Sequence, residues 1–186
     1  MKRLGVLGWP VAHSRSPAMQ NAALRELGLS DWHYQRLPVP PLVFDETVAG
    51  LPAAGFVGAN VTIPHKEAAL AAADTASEAA REIGAANTLT FSDDGAITAD
   101  NTDAPGLIAA LGDRIGATAM VLGAGGSARA VVWALTRAGV EVSIWNRTPG
   151  RAEALHRNTH RVTATPVSGD RPDAQPLDTP PESRLT

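Results

Sequence analysis

A chain of 186 residues has room for one ordinary domain or two small ones, and with 44% hydrophobic but only 4% aromatic residues its core must be packed with Ala, Val and Leu. A formal charge of −3 gives no basic excess for a nucleic-acid surface or a polybasic membrane patch, and the absence of cysteine removes disulfides, thiolate catalysis and cysteine-ligated metals. No apolar run reaches the ~18 residues of a membrane span, since Arg129 interrupts the best candidate, so small-molecule chemistry in the cytoplasm is the expectation.

Leu4 to Leu7 read as a short buried strand, and the Gly5, Gly8 and Pro10 around it break any likeness to a secretory leader. Ser16-Pro17 opens a helix to about Leu27, with Ser16 as its cap and Gly28 closing it. A strand over His33 to Leu37, a helix over Leu42 to Ala49 and a strand over Val57 to Ile63, stopped by Pro64, complete a βαβαβ pattern. Helices over Lys66 to Ala73 and Ser77 to Ile83 follow. Thr88 to Phe91 and Ala96 to Ala99 then flank Asp93-Asp94-Gly95 as a hairpin. After a helix over Thr102 to Leu111 the pattern restarts, with a strand over Ala119 to Leu122, a glycine-rich turn, a helix over Ala128 to Ala138 and a strand over Val140 to Trp145. Arg151 to Arg157 continue as a short helix.

This predicts an α/β protein in which residues 1–110 form a substrate domain with a mixed, largely parallel sheet, and residues 111–160 form the first half of a Rossmann-like domain. Residues 161–186, rich in Pro, Asp, Thr and Arg, have the composition of a linker or disordered tail, and Ala119 to Leu122 is expected to keep an open sheet edge.

Six segments carry chemistry. Gly123-Ala124-Gly125-Gly126-Ser127-Ala128 matches G-x-G-x-x-G/A between a strand and a helix, where glycines let backbone N–H groups approach a pyrophosphate. The following strand ends in Asn146-Arg147-Thr148, with Arg151 beyond, and not in the carboxylate that would accept from an NAD ribose. A guanidinium there suits the 2′-phosphate of NADP. Ser14 and Ser16 flank a helix start that offers a seat for a carboxylate. Lys66, in Asn60-Val61-Thr62-Ile63-Pro64-His65-Lys66, opposes the helix dipole in a first turn, which favours a functional over an ordinary surface lysine. Gly84-Ala85-Ala86-Asn87-Thr88 reads otherwise as a helix stop, and in Asp100-Asn101-Thr102-Asp103 either Thr102 or Asp103 is a candidate cap for the next helix. His13 and His65 are given no catalytic role, and no zinc-ligand cluster is present.

In order and spacing, GWPVAHSRSP, NVTIPHK, GAANT, DNTD, GAGGSARA and NRTPGRA resemble the motif set of the shikimate dehydrogenases over about residues 3 to 155. The resemblance implies an NADPH-dependent, reversible reduction of 3-dehydroshikimate to shikimate, on the route to chorismate and the aromatic amino acids. It implies that Ser14 and Ser16 hold the substrate carboxylate, that Thr62, Asn87 and Asp103 contact ring hydroxyls, and that Lys66, paired with Asp103, is the acid/base. It also implies that Glu78 approaches the cofactor. The complete family continues through further cofactor-domain strands and a final helix, so a C-terminally truncated or degraded family member is expected here. A quinate/shikimate dehydrogenase using NAD, or an inactive shikimate-binding remnant, are the alternatives, and a homodimer is compatible with either.

Overall fold

The computed structural model describes residues 1–157 and 165–167. Its first sheet holds β1 (Lys2–Gly8), β2 (Trp32–Pro38), β3 (Phe56–Val61), β4 (Thr75–Ala76), β5 (Thr88–Phe91) and β6 (Ile97–Asp100) in the order β2-β1-β3-β5-β6-β4. β1 runs parallel to β2 and β3, whereas β5 is antiparallel to both β3 and β6. The sheet is therefore mixed, as expected.

Side-chain alternation decides which residues meet on each face. On one face Leu7, Ala59, Val61, Leu89, Phe91, Ile97 and Ala99 build the main core with Phe44 and Val48 of α2 (Phe44–Gly50). On the other, Val6 and Tyr34 pack with Val11 and Leu24 beneath α1 (Ser16–Glu26), while Thr88 and Thr90 take the alternate positions of β5.

The chain leaves this sheet through α5 (Asp103–Leu111) and builds β7 (Thr118–Leu122), α6 (Gly126–Arg137), β8 (Glu141–Trp145) and α7 (Pro149–Arg157). A three-stranded parallel sheet, ordered β7-β8-β9 with β9 at Thr165–Val167, is covered by Val132, Leu135, Ala152 and Leu155. Small side chains join the two halves. Ile83 of α4 (Glu78–Ile83), Ala85, Ala104 of α5 and Ala130 and Ala134 of α6 form one buried cluster, which lets the three helices approach closely.

Several local expectations are corrected. Ser16 does not cap α1: the N-cap is Arg15, and Ser16 sits inside the first turn, its own N–H bonded to Ser14 Oγ at 3.3 Å. β3 ends at Val61 and not Ile63, because the Thr62 carbonyl turns back to accept from His65 N at 3.0 Å. Neither Thr102 nor Asp103 caps α5 with its side chain. Asn101 does so, its Oδ1 accepting from Asp103 N at 3.1 Å and Ala104 N at 3.4 Å. The two-residue β4 has no sequence period to announce it. Of the stretch read as a linker or tail, Thr165–Val167 are described, and they form β9, parallel to β8. Pro166 has no N–H to give a ladder, which suits an outer strand. The rest of that stretch lies outside the described residues.

Candidate active site

Strand direction brings the motifs together. β1 and β3 end at the edge where β5 begins, since Thr88 pairs with Asp100 and Asn60 with Thr88, so the loops after β1, β3, α4 and β6 all open there.

Lys66, the first residue of α3 (Lys66–Ala71), is only 8% exposed. A buried ammonium without a partner would cost on the order of several kcal/mol, and here Nζ donates to Asp103 Oδ2 at 2.5 Å and to Ser127 Oγ at 2.9 Å. Its third hydrogen has no protein acceptor among the described residues. The other Asp103 oxygen, Oδ1, accepts from Asn87 Nδ2 at 2.8 Å. Asn87 is itself fixed, as its Oδ1 accepts from Thr102 N at 2.9 Å and Thr88 Oγ1 at 3.0 Å. Behind them the buried Asn101 donates Nδ2 to Ala85 O at 2.9 Å, and Asp100 Oδ1 accepts from Ser77 Oγ at 2.6 Å and Asn101 N at 2.7 Å. Every member is held by a second group, so the Lys66–Asp103 pair is preorganised.

Ser14 and Ser16 lie at the same edge, where Arg36 Nε and Nη2 donate to Ser14 O at 3.0 and 2.6 Å. Thr62 follows β3 at half-burial, its N–H bonded to Leu7 O at 2.8 Å. These three make no direct hydrogen bond with the Lys66 cluster among the described residues. Two further side chains are fixed nearby, Tyr34, which has no sequence signal beyond alternation, and His65, which lies inside a motif but is assigned no catalytic role from sequence. Tyr34 Oη donates to Asn60 Oδ1 at 2.7 Å, and burial pushes the phenol up to about 12, so it remains a donor at neutral pH. His65 is buried, stacked on Phe44 at 4.5 Å and bonded through Nε2 to Val39 O at 2.7 Å, which makes it a structural residue.

On the second sheet, Gly123, Ala124 and Gly125 connect β7 to α6, whose first two residues are Gly126 and Ser127. Gly123 adopts φ 117°, a conformation side chains resist, and its N–H bonds to Trp145 O at 2.8 Å, which fastens the turn to the end of β8. Gly125 is the N-cap of α6 without a side-chain bond, so the N–H groups of the first turn are left for an anion. At the end of β8, Asn146 Nδ2 donates to Thr148 O at 2.8 Å and Arg151 N to Thr148 O at 3.1 Å. Arg147, Thr148 and Arg151 are exposed and no carboxylate stands at that strand end. This donor set fits a dinucleotide with an added phosphate. Glu78 is exposed at the first position of α4. The α4 carboxylate that meets α6 is Glu82, which accepts from Trp133 Nε1 and Arg137 Nη1, each at 2.8 Å. Among the described residues no three acids or histidines are grouped as metal ligands, and no helix is long and apolar enough to cross a membrane.

An N-terminal α/β unit with a mixed sheet, followed by the opening of a Rossmann-like unit, places the chain in the class of two-part dinucleotide-binding folds. Residues 6–89 match the family described as shikimate dehydrogenase substrate binding domain, and residues 109–170 the one described as shikimate / quinate 5-dehydrogenase. The chain belongs to the shikimate dehydrogenase family. It is 50% identical over 183 residues to a shikimate dehydrogenase (NADP(+)) of Methylobacterium radiotolerans, covering 94% of this chain and 64% of that protein. It is 51% identical over 158 residues to the Paracoccus denitrificans protein of the same name, covering 81% and 56%. The chain thus spans less than two thirds of these relatives. The crystal structure of shikimate 5-dehydrogenase from Thermus thermophilus in complex with NADP(H) and shikimate superposes with a TM-score of 0.80 at 45% identity, over 89% of this chain and 63% of that one.

Proposed function

We propose that this chain carries the substrate site, the acid/base pair and part of the cofactor site of an NADP-dependent shikimate dehydrogenase, which reversibly reduces 3-dehydroshikimate to shikimate in the cytoplasm. The Lys66–Asp103 contact at 2.5 Å carries the reading, because a buried lysine paired with a carboxylate where the four loops converge suits the role of proton donor. Residues 1–110 are proposed as the substrate domain and the chain from 111 through β9 as the cofactor-binding part.

Bound NADPH supplies the hydride for the ring carbonyl carbon. Lys66 donates a proton to the developing alkoxide and takes it back in the reverse direction, while Asp103 keeps the ammonium charged and aimed. Ser14 and Ser16 hold the carboxylate; Thr62, Asn87 and Asp103 receive the hydroxyls. The glycine turn and Ser127 hold the pyrophosphate, Asn146, Arg147, Thr148 and Arg151 the 2′-phosphate, and Glu78 borders the cofactor. A shikimate-binding unit without turnover is the second reading, supported by β7, which has no partner on its outer side among the described residues. That same edge is where a homodimer would form.

Steady-state assay of this chain with 3-dehydroshikimate decides between them. Turnover with NADPH preferred to NADH is the expected result. Shikimate binding without turnover would favour the second reading, and equal use of NADH would overturn the cofactor assignment.

A further inference from the structure

Lys66 does not stop at its carboxylate partner. Its Nζ also reaches Ser127 Oγ at 2.9 Å, 61 positions along the chain and inside the glycine turn. The stem of the lysine is equally engaged, since a Cβ placed on Gly126 would lie 2.9 Å from Lys66 Cβ and 3.4 Å from Lys66 Cδ. Glycine at this position therefore makes room for the lysine as well as for any ligand, and a shift of the turn is felt at Lys66 without slack.

We infer that Ser127 is a positioning residue that couples dinucleotide binding to the acid/base group, so that dinucleotide and hydroxy-acid ligand bind with positive cooperativity. The inference rests on the function proposed above. A serine hydroxyl has one hydrogen to donate and lone pairs to accept with. Towards Lys66 it can only accept, because an ammonium has no lone pair, so its own hydrogen is free for a phosphate oxygen at the start of α6. Donating that hydrogen to an anion makes the oxygen a better acceptor, as hydrogen bonds in series polarise one another. The result is a chain of bonds from phosphate through Ser127 and Lys66 to Asp103, with Asn87 behind it. A dinucleotide tightens the hold on Lys66 and fixes the direction of its remaining hydrogen, which points the donor before substrate arrives. By linkage, a ligand that engages Lys66 raises dinucleotide affinity by the same factor.

Shikimate and NADPH are both reduced and cannot react with each other, so their coupling can be measured at equilibrium. Calorimetric titration of the chain with shikimate, with and without saturating NADPH, should give a ratio of dissociation constants of about five or more, the lower end of typical coupling. In Ser127→Ala the ratio should fall to within about two-fold of one, and Ser127→Thr, which keeps the hydroxyl, should restore it. A loss of packing alone would weaken each ligand separately and leave the ratio unchanged. A parent chain that binds both ligands without coupling, or an alanine variant that keeps the coupling, overturns the inference and leaves the proposed function standing. A parent chain that binds neither ligand overturns both.

Discussion

Lys66 is the residue at which charge, burial and position meet. Its ammonium is held by Asp103 and Ser127 while one hydrogen remains for a ligand, so truncation should remove proton donation more than affinity. Lys66→Ala is expected to lower kcat by about 10²–10⁴ and to leave shikimate binding within a few-fold. Stopped-flow turnover together with calorimetry checks this, and a variant that keeps most of the parent's kcat would exclude Lys66 as the acid. Tyr34 offers a second measurement. Its folded pKa is raised from 10.0 to about 12 by burial, so the folded state holds the proton more tightly than the unfolded chain. The corresponding stability is fully present below pH 10 and is lost as pH rises towards 12, by up to about 3 kcal/mol. Urea unfolding across that range should show this alkaline loss in the parent and a flatter profile in Tyr34→Phe.

At the scale of elements, the instructive case is how α5 and α1 begin. Both starts carry good capping residues in sequence, yet Ser16 is inside its helix and Asn101, not Thr102 or Asp103, supplies the cap of α5. Asn101→Ala loses two accepted bonds and a donated one at a buried position, and should cost about 1–3 kcal/mol. Ser16→Ala should stay within about 0.5 kcal/mol; chemical denaturation of the two variants provides the comparison. Residue type and spacing were enough to find the β-strands with alternating Leu, Val and Phe and the glycine turn, and to single out Lys66, whereas its pairing with Asp103 was implied only by the resemblance of the whole motif set to a known family. They did not reveal that Ser127 joins that pair or that Asn60 is held by Tyr34, because those contacts cross 61 and 26 positions and depend on which strand lies beside which. β4 was missed for a related reason. Two residues, Thr75 and Ala76, cannot show a period, and only β6 beside them makes a strand of them.

Across the whole molecule, the two sheets are joined by alanines and by ion pairs at the surface. The Arg137–Glu82 pair is exposed on both sides and contributes little, as such pairs do. Ala130 and Ala134, in contrast, lie against Ile83, Ala85 and Ala104 with almost no exposure. Ala134→Leu should therefore overpack the junction and destabilise by about 1–3 kcal/mol, while Arg137→Met should change stability by no more than about 1 kcal/mol. Thermal unfolding of both variants tests whether close approach or charge holds the halves together.

The antiparallel hairpin of β5 and β6 acts as a ruler for the chemistry. Lys66 follows a parallel strand, whereas Asp103 is delivered three residues after the strand that pairs Asp100 with Thr88. A slip of two residues in that pairing would keep Leu89, Phe91, Ile97 and Ala99 on the core face, because side chains alternate with period two. It would also carry the Asn101–Asp103 segment about 7 Å along the sheet, well outside the reach of Lys66. An insertion or deletion in the turn between Ser92 and Ala96 that changes this pairing could thus leave a folded, well-packed molecule whose acid and carboxylate no longer meet. The length of a surface turn at the opposite end of the hairpin from Asp100 sets whether the site exists.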